Sequence, residues 1–311
     1  MKKPDYVAIA KEYMRGVLDG SVPACSFVKQ AVQRQLNDLR RWGPEGGDYY
    51  FDEKEASRPC WFIENLTHTK GELAGRAIHL EPWQCFLLTT LFGWKAKAGN
   101  RRFRSAYVEV GRGNGKSTLL SGIGLFCLCA DHEPGAEVYS FATTREQAKI
   151  VFGDAQTMAR GNRALQEAYG LEVTAHALYV PATNSTFQAK SAEGSTLDGL
   201  NTHLAIIDEL HAHKKRDVFD VVETSLGKRR NSLMVSITTA GVDRTGICYE
   251  QRTLVTKILS GSLQDESYFG VIYTLDPDDD WKSDEALAKA NPNWGVSVRP
   301  EVIRALQAKA I

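Results

Sequence analysis

The chain has 311 residues, 43% of them apolar, with 38 acidic and 38 basic side chains. That is enough for one large domain or two small ones with a real core, and it excludes nucleic-acid binding through bulk charge, leaving only a local basic face. No apolar run approaches the roughly 20 residues of a membrane span, and "MKKPDYVAIAKEYM" lacks the apolar segment of a signal peptide.

In chain order, residues 5–42 read as helices. "YVAIAKEYMRGVLDG" ends on Gly20 and "SFVKQAVQRQLNDLRRWG" on Gly43, both with apolar residues at helical spacing. "GPEGGDYY" reads as a loop, and residues 55–66 as a helix with Trp61, Phe62 and Leu66 on one side. "EPWQCFLLTTLFGW" is a buried helix with Pro82 in its first turn, and the basic connector "KAKAGNRRFR" follows. Then come strand "SAYVEVG", helix "KSTLLSGIGLFCLCA", strand "AEVYSFA" and helix "REQAKIVFGDAQTMARG". A hairpin of "ALYVP" and "STFQAKS" leads to strand "THLAIIDE", helix "FDVVETSLGKR" and strands "SLMVSITTAG" and "YFGVIYTLD". This alternation predicts an α/β fold with a mostly parallel sheet and helices on both faces, preceded by a helical N-terminal region.

"DPDDDW" is an acidic loop that lacks the spacing and closing glutamate of a calcium site. The polar, helical stretch after it stops in mid-helix, which reads as a truncation. The divisions expected are a helical region over 1–75, an α/β core over 76–275 and a tail over 276–311. Six cysteines without a C-x-x-C pair favour reduced thiols over three disulfides, and no cysteine pair accompanies His211 and His213 to make a metal site.

The chemistry concentrates in three places. "VEVGRGNGKST", residues 108–118, follows the phosphate-binding pattern G-x-x-x-x-G-K-[ST] except at its first position, where Val110 stands and Gly111 comes one residue late. A strand runs into this loop and a helix starts at Lys116, aiming backbone N–H groups at phosphate oxygens. Lys116 would contact the β- and γ-phosphates and Ser117 would ligate Mg²⁺. The alternative is a glycine-rich turn with no ligand. "LAIIDEL" puts Asp208 and Glu209 at the end of a buried strand, Asp208 for the Mg²⁺ shell and Glu209 as base for an attacking water. A small-molecule kinase has no need of Glu209, so the pair favours a hydrolase. Thr238 and Thr239 in "SITTAG" end the next apolar strand, either sensing the γ-phosphate or forming a plain strand end.

Two further residues have a functional and a bland reading. Arg112, inside the loop, either offsets charge on the γ-phosphoryl group in cis or faces solvent. Gln84 either contacts an adenine edge, donating and accepting, or sits on a helix surface.

Together these residues resemble a known family. "LEPWQCFLLTTLFGWK", "RRFRSAYVEVGRGNGKSTL", "ATTREQAKIVF", "SAEGSTLDGLNTHLAIIDELHAH" and "SITTAG" closely resemble the ATPase half of the large terminase subunit of tailed bacteriophages and prophages, over most of the chain. The resemblance implies a RecA-like P-loop NTPase of the additional-strand, conserved-glutamate type, using ATP and Mg²⁺. It implies a motor that drives double-stranded DNA into a procapsid. Its partners would be the portal protein and a small terminase subunit. It would act as a homo-oligomeric ring on the portal, with a monomer as the alternative in isolation. Its place would be the host bacterial cytoplasm and, transiently, the portal vertex, with no membrane.

Carried over by position, Gln84 matches the adenine-contacting glutamine. Gly111, Arg112, Gly113, Asn114, Gly115, Lys116, Ser117 and Thr118 match the nucleotide-binding variant Walker A loop. Asp208 and Glu209 match Walker B and the catalytic glutamate, and Thr238 and Thr239 the coupling motif. Catalysis then falls to Glu209, Lys116 and Arg112, and the metal to Ser117 and Asp208. A trans-acting arginine from a neighbouring subunit is implied as well, with Arg229, Arg230 and Arg145 as candidates. Family members also carry a C-terminal nuclease with metal-binding aspartates; residues 276–311 would be the linker toward it, and no nuclease activity is expected here.

The competing readings are a helicase-like translocase and a non-hydrolysing assembly fragment with a vestigial ATP site. Lys95, Lys97, Arg101, Arg102 and Arg104 form a basic cluster that reads as DNA- or partner-facing, or as an ordinary solvated loop.

Overall fold

Apolar residues at helical spacing fold the start of the chain into α1 (Tyr6–Asp19) and α2 (Ser26–Trp42). Asp5 caps α1 by accepting from Ala8 N, and Gly20 ends it in the left-handed region. A short strand β1 (Tyr49–Phe51) leads into α3 (Glu53–Glu64), capped by Asp52. Next comes α4 (Pro82–Gly93), opened by a Glu81–Gln84 capping box, and then β2 (Trp94–Ala96). β1 and β2 pair antiparallel, so part of "GPEGGDYY" is strand rather than loop. The structure is a computed structural model that describes residues 3–42, 47–143, 145–191, 199–213, 216–241 and 244–309. Gly43, the expected helix end, lies outside them.

The core then alternates. β3 (Ser105–Glu109) leads to α5 (Lys116–Cys129), β4 (Glu137–Ala142), α6 (Arg145–Gly161) and α7 (Arg163–Tyr169). β5 (Glu172–Val173), β6 (Leu178–Val180) and β7 (Ser185–Ser191) form an antiparallel edge, with the expected hairpin between β6 and β7. β8 (Leu204–Asp208), α8 (Asp217–Ser225), β9 (Leu233–Thr238), α9 (Ile247–Leu259) and β10 (Tyr268–Ile272) follow, then α10 (Asp284–Ala290) and α11 (Pro300–Ala308). The strand order is β10-β3-β9-β8-β4-β7-β6-β5, parallel from β10 to β7. β9 is thus inserted between the loop strand β3 and the Asp208 strand β8. Every residue of β8, β9 and β10 is buried, as expected of parallel strands covered on both faces.

Two expectations fail for clear reasons. Trp61 does not share a face with Phe62 and Leu66: they are buried and it is exposed, because successive helical residues point about 100° apart. The basic connector is neither DNA-facing nor solvated as a unit. Arg102 is fully buried among Trp42, Tyr49, Trp94 and Phe103 and pairs with Asp38 at 2.8 Å and Glu266 at 2.5 Å. Arg101 is buried against Asp131, Arg104 donates to the Leu226 and Arg229 carbonyls, and Lys95 pairs with Glu55. Only Lys97 of the five is exposed. Arg102 and Lys95 thus tie the connector to α2 and α3, while Arg101 and Arg104 tie it to loops of the core.

All six cysteines are free. Among the described residues no helix is long and apolar enough to cross a membrane.

Candidate nucleotide site

The ladder of β3 continues one residue past its end, with Val110 N donating to Thr238 O at 3.0 Å. The chain then turns through Gly113 and Gly115, both left-handed (φ 83° and 74°), and enters α5 at Lys116. Gly111 is needed for a different reason: a Cβ there would sit 2.5 Å from Asn291 Oδ1. Gly115 supplies no capping side chain, so the first-turn N–H groups of α5 are available to an anion.

Lys116 is buried and folds back over the loop. Its Nζ donates to Val110 O at 3.3 Å and lies 3.5 Å from Glu209 Oε1. Burial draws its pKa below the ordinary lysine value, against the pull of Glu209 and Asp208. Asp208 closes β8, its Oδ1 accepting from Glu209 N at 3.0 Å. Burial, with the charge of Glu209 beside it, pushes Asp208 up to about 6. A buried carboxylate kept unfavourably charged at this edge fits a divalent cation, which would reverse the shift.

Glu209 has φ of 49°, rare for a residue with a side chain and a strain of order 1–3 kcal/mol. Its carboxylate is divided. Oε1 faces Lys116, while Oε2 accepts from Thr239 N and Thr239 Oγ1, each at 3.4 Å, and lies 3.2 Å from His211 Nδ1. The two ends of β8 and β9 therefore meet around one carboxylate.

Beside the loop lies a cavity of about 430 Å³. Gln84, Gly115 and Thr118 border it on the loop side, Ile63, Ile78 and Leu119 give it apolar walls, and Asn293, Val296 and Ser297 close it. Gln84 is buried, not on the helix surface. Its Oε1 accepts from Glu81 N at 2.9 Å in the capping box, which leaves the amide NH2 on the side of Gly115.

The closing segment comes from the stretch after β10. Asn114 Nδ2 donates to Asn291 Oδ1 at 3.1 Å, Asn293 N to Asn114 Oδ1 at 3.0 Å, and Ser297 Oγ to Gly113 O at 2.6 Å. Trp83 Nε1 donates to Asn293 Oδ1 at 2.5 Å. Residues 291–297 thus lie across the phosphate loop. In the acidic loop before them, Asp276 accepts from Ser26 N and Asp279 pairs with Lys289 at 2.6 Å.

The family "Terminase large subunit, ATPase domain" matches residues 82–257, more than half of the chain and all of the loop, β8 and β9. The chain belongs to this family. It is 32% identical over 182 residues to the terminase large subunit of Enterobacteria phage HK97, covering 57% of this chain and 35% of that one. It is 43% identical over 113 residues to protein YmfN of Escherichia coli strain K12, covering 36% and 25%. The terminase large subunit of Lactococcus phage p2 is 22% identical over 273 residues, covering 86% and 49%. The crystal structure of the HK97 large terminase superposes with a TM-score of 0.71 at 27% identity, covering 82% of this chain and 51% of that one. The chain thus spans at most about half the length of these terminase relatives. The fold is that of a P-loop NTPase with the additional strand β9 in place.

Against this terminase frame, the residues singled out in sequence divide. Lys116, Asp208, Glu209, Thr238 and Thr239 meet at one edge of the sheet, with Gln84 beside the loop. Arg112 is exposed and its guanidinium makes no hydrogen bond or ion pair with the described residues. Arg229 is occupied: it pairs with Glu133 at 3.0 Å and donates to the Asn201, Pro134 and Gly135 carbonyls. Arg230 beside it is exposed, and the side chain of Arg145 lies outside the described part. Sequence reasoning weighed His211 only as a metal ligand and missed its place beside Glu209, and it missed the asparagines at 291 and 293. The signals were there, in the histidine two residues after Glu209 and the turn-forming "NPNWG".

Proposed function

We propose that this chain is the Mg²⁺-dependent ATP-hydrolysing motor of a terminase large subunit, moving double-stranded DNA into a procapsid. The observation that carries the reading is the Glu209 carboxylate, held between Lys116 of the phosphate loop and the threonines ending β9. A base placed there can reach a water in line with a γ-phosphate on the loop.

The purine would occupy the cavity beside Gln84, whose NH2 would donate to a ring nitrogen. The N–H groups of residues 113–117 would hold the β- and γ-phosphates. Ser117 and Asp208 would hold Mg²⁺, which when bound supplies charge neutralisation of the phosphoryl group. Glu209 would take the proton of the attacking water. Lys116, and Arg112 swung in from solvent, would offset the charge developing on the phosphoryl oxygens. Thr239 touches the same carboxylate, so loss of the γ-phosphate would be felt directly at the end of β9.

Assembly on the portal as a ring, with the small terminase subunit as a further partner in the host cytoplasm, belongs to the same reading. So do the division at about residues 75 and 275 and the role of 276–311 as the connection toward a nuclease domain. Arg230 and Arg145 stand as the trans-arginine candidates, since Arg229 is used internally. The test is steady-state ATP hydrolysis with and without double-stranded DNA. The reading expects turnover that requires Mg²⁺. Tight ATP binding with no turnover under any of these conditions would favour the non-hydrolysing assembly fragment instead.

A further inference from the structure

His211 has no place in the mechanism above, yet it touches both the proposed base Glu209 and the two threonines that end β9. The left-handed turn at Glu209 throws residues 210–212 into one 3-10 turn, which brings His211 back beneath the carboxylate. Its backbone N donates to Thr238 Oγ1 at 3.1 Å. Its ring Nδ1 lies 3.0 Å from Thr238 Oγ1, 3.2 Å from Glu209 Oε2 and 3.3 Å from Thr239 Oγ1.

The hydrogen-bond inventory fixes the roles. The Thr238 hydroxyl donates its proton to Thr239 O at 2.8 Å, and an ionised carboxylate has none to give. Nδ1 must therefore carry the hydrogen and donate it to Thr238, with Glu209 Oε2 standing beside the same nitrogen as a close ionic contact. Gly241, in the loop after β9, packs close against this residue: a Cβ there would come 2.9 Å from His211 Cβ.

We infer that His211 is a positioning residue for Glu209. It sets Oε2 from one side, by its close contact with that oxygen and by its bonds to Thr238 and Thr239, so that Oε1 is the oxygen presented toward Lys116 and the phosphate loop. Because the nitrogen that touches Oε2 donates to Thr238, a shift of the base would be felt at the end of β9. This inference rests on the reading of the chain as an ATPase with Glu209 as base.

The test uses the full chain with Mg²⁺-ATP and DNA, comparing wild type, Glu209→Gln, His211→Ala, His211→Asn and His211→Gln. Asparagine can place an N–H where Nδ1 stands, and glutamine places it one bond further out. Loss of an orienting donor typically costs about 10- to 100-fold in activity, so H211A should lower kcat by that amount. KM for ATP should stay within about twofold, because the nucleotide itself is not contacted. H211N should recover most of the lost kcat and H211Q should not. A purely structural role would affect H211N and H211Q alike, and equal kcat in those two would overturn the inference even if H211A proves unstable. So would wild-type kcat in H211A. If the wild type does not hydrolyse ATP, or E209Q turns over normally, the parent reading fails and this inference with it.

Discussion

The two ends of the sheet carry similar side chains in opposite conditions. Before the parallel strands begin, Arg101 and His203 close on Asp131, Arg102 on Asp38 and Glu266, and Arg229 on Glu133. His203 Nε2 is 2.7 Å from Asp131 Oδ2. Where the strands end, Lys116, Glu209, His211 and Thr239 stand 3.2–3.5 Å apart around a strained backbone. Two aspartates make the contrast sharpest. Burial works against the charge of Asp131, but Arg101 and His203 overcome it and hold its carboxyl well below the usual range. Burial also works against Asp208, nothing comparable offsets it, and it rises to about 6. One end spends its charges on holding the domain together. The other leaves them underpaired for a ligand to complete, at the carboxyl edge where α/β sheets bind ligands.

The comparison breaks if the two aspartates respond alike. Asp131→Ala leaves Arg101 buried without its partner and should cost about 3–5 kcal/mol in urea unfolding, with kcat per folded molecule unchanged. A loss below about 1 kcal/mol would mean the pairing is incidental. The depressed pKa of Asp131 adds stability above the unfolded value near 3.9, which is lost as pH falls toward the folded value.

Asp208→Asn should act in the opposite direction. The raised pKa means the folded protein prefers the protonated form, so ionised Asp208 is a cost that appears as pH rises through the window from the unfolded value to about 6. In ligand-free protein at pH 8 the substitution should therefore stabilise by up to roughly 3 kcal/mol, and the gain should vanish below about pH 4. Thermal melts at the two pH values measure it. Destabilisation at pH 8 would contradict the picture of an underpaired edge.

Arg112→Ala should lower kcat by about 10²-fold, some 2.7 kcal/mol, more than it weakens ATP binding. Unchanged kcat would remove the cis arginine from the mechanism. The smallest effect is expected from Asn293→Ala, which loses the side-chain hydrogen bonds to Trp83 and Ser297 but keeps the backbone bond to Asn114. At about 1 kcal/mol it should raise KM for ATP some fivefold with kcat little changed.

Much of the central architecture was legible because it is written in local pattern. The apolar runs at β8 and β9, the Gly115-Lys116-Ser117 helix start and the hairpin at β6 and β7 each follow from periodicity and turn chemistry. What escaped depends on contacts between distant segments. Nothing near Arg101 or Arg102 shows that Asp131, Asp38 and Glu266 will close around them. The tail after β10 is polar and glycine-containing, so its composition suggests a connector, yet Asn291 and Asn293 find partners on the phosphate loop 177 and 179 residues away. Gly111 looked like a misplaced loop glycine until Asn291 gave its lack of a Cβ a purpose. α9 was missed although Ile247, Gln251, Val255 and Ile258 recur at helical spacing and are buried.

The central claim is that Glu209, strained and divided between Lys116 and the end of β9, is the base of an ATPase. The direct measurement is ATP affinity and single-turnover hydrolysis of Glu209→Gln beside wild type, with Mg²⁺ and DNA present. The account predicts affinity within a few-fold of wild type and hydrolysis reduced by about 10³-fold or more. Hydrolysis at the wild-type rate would contradict it.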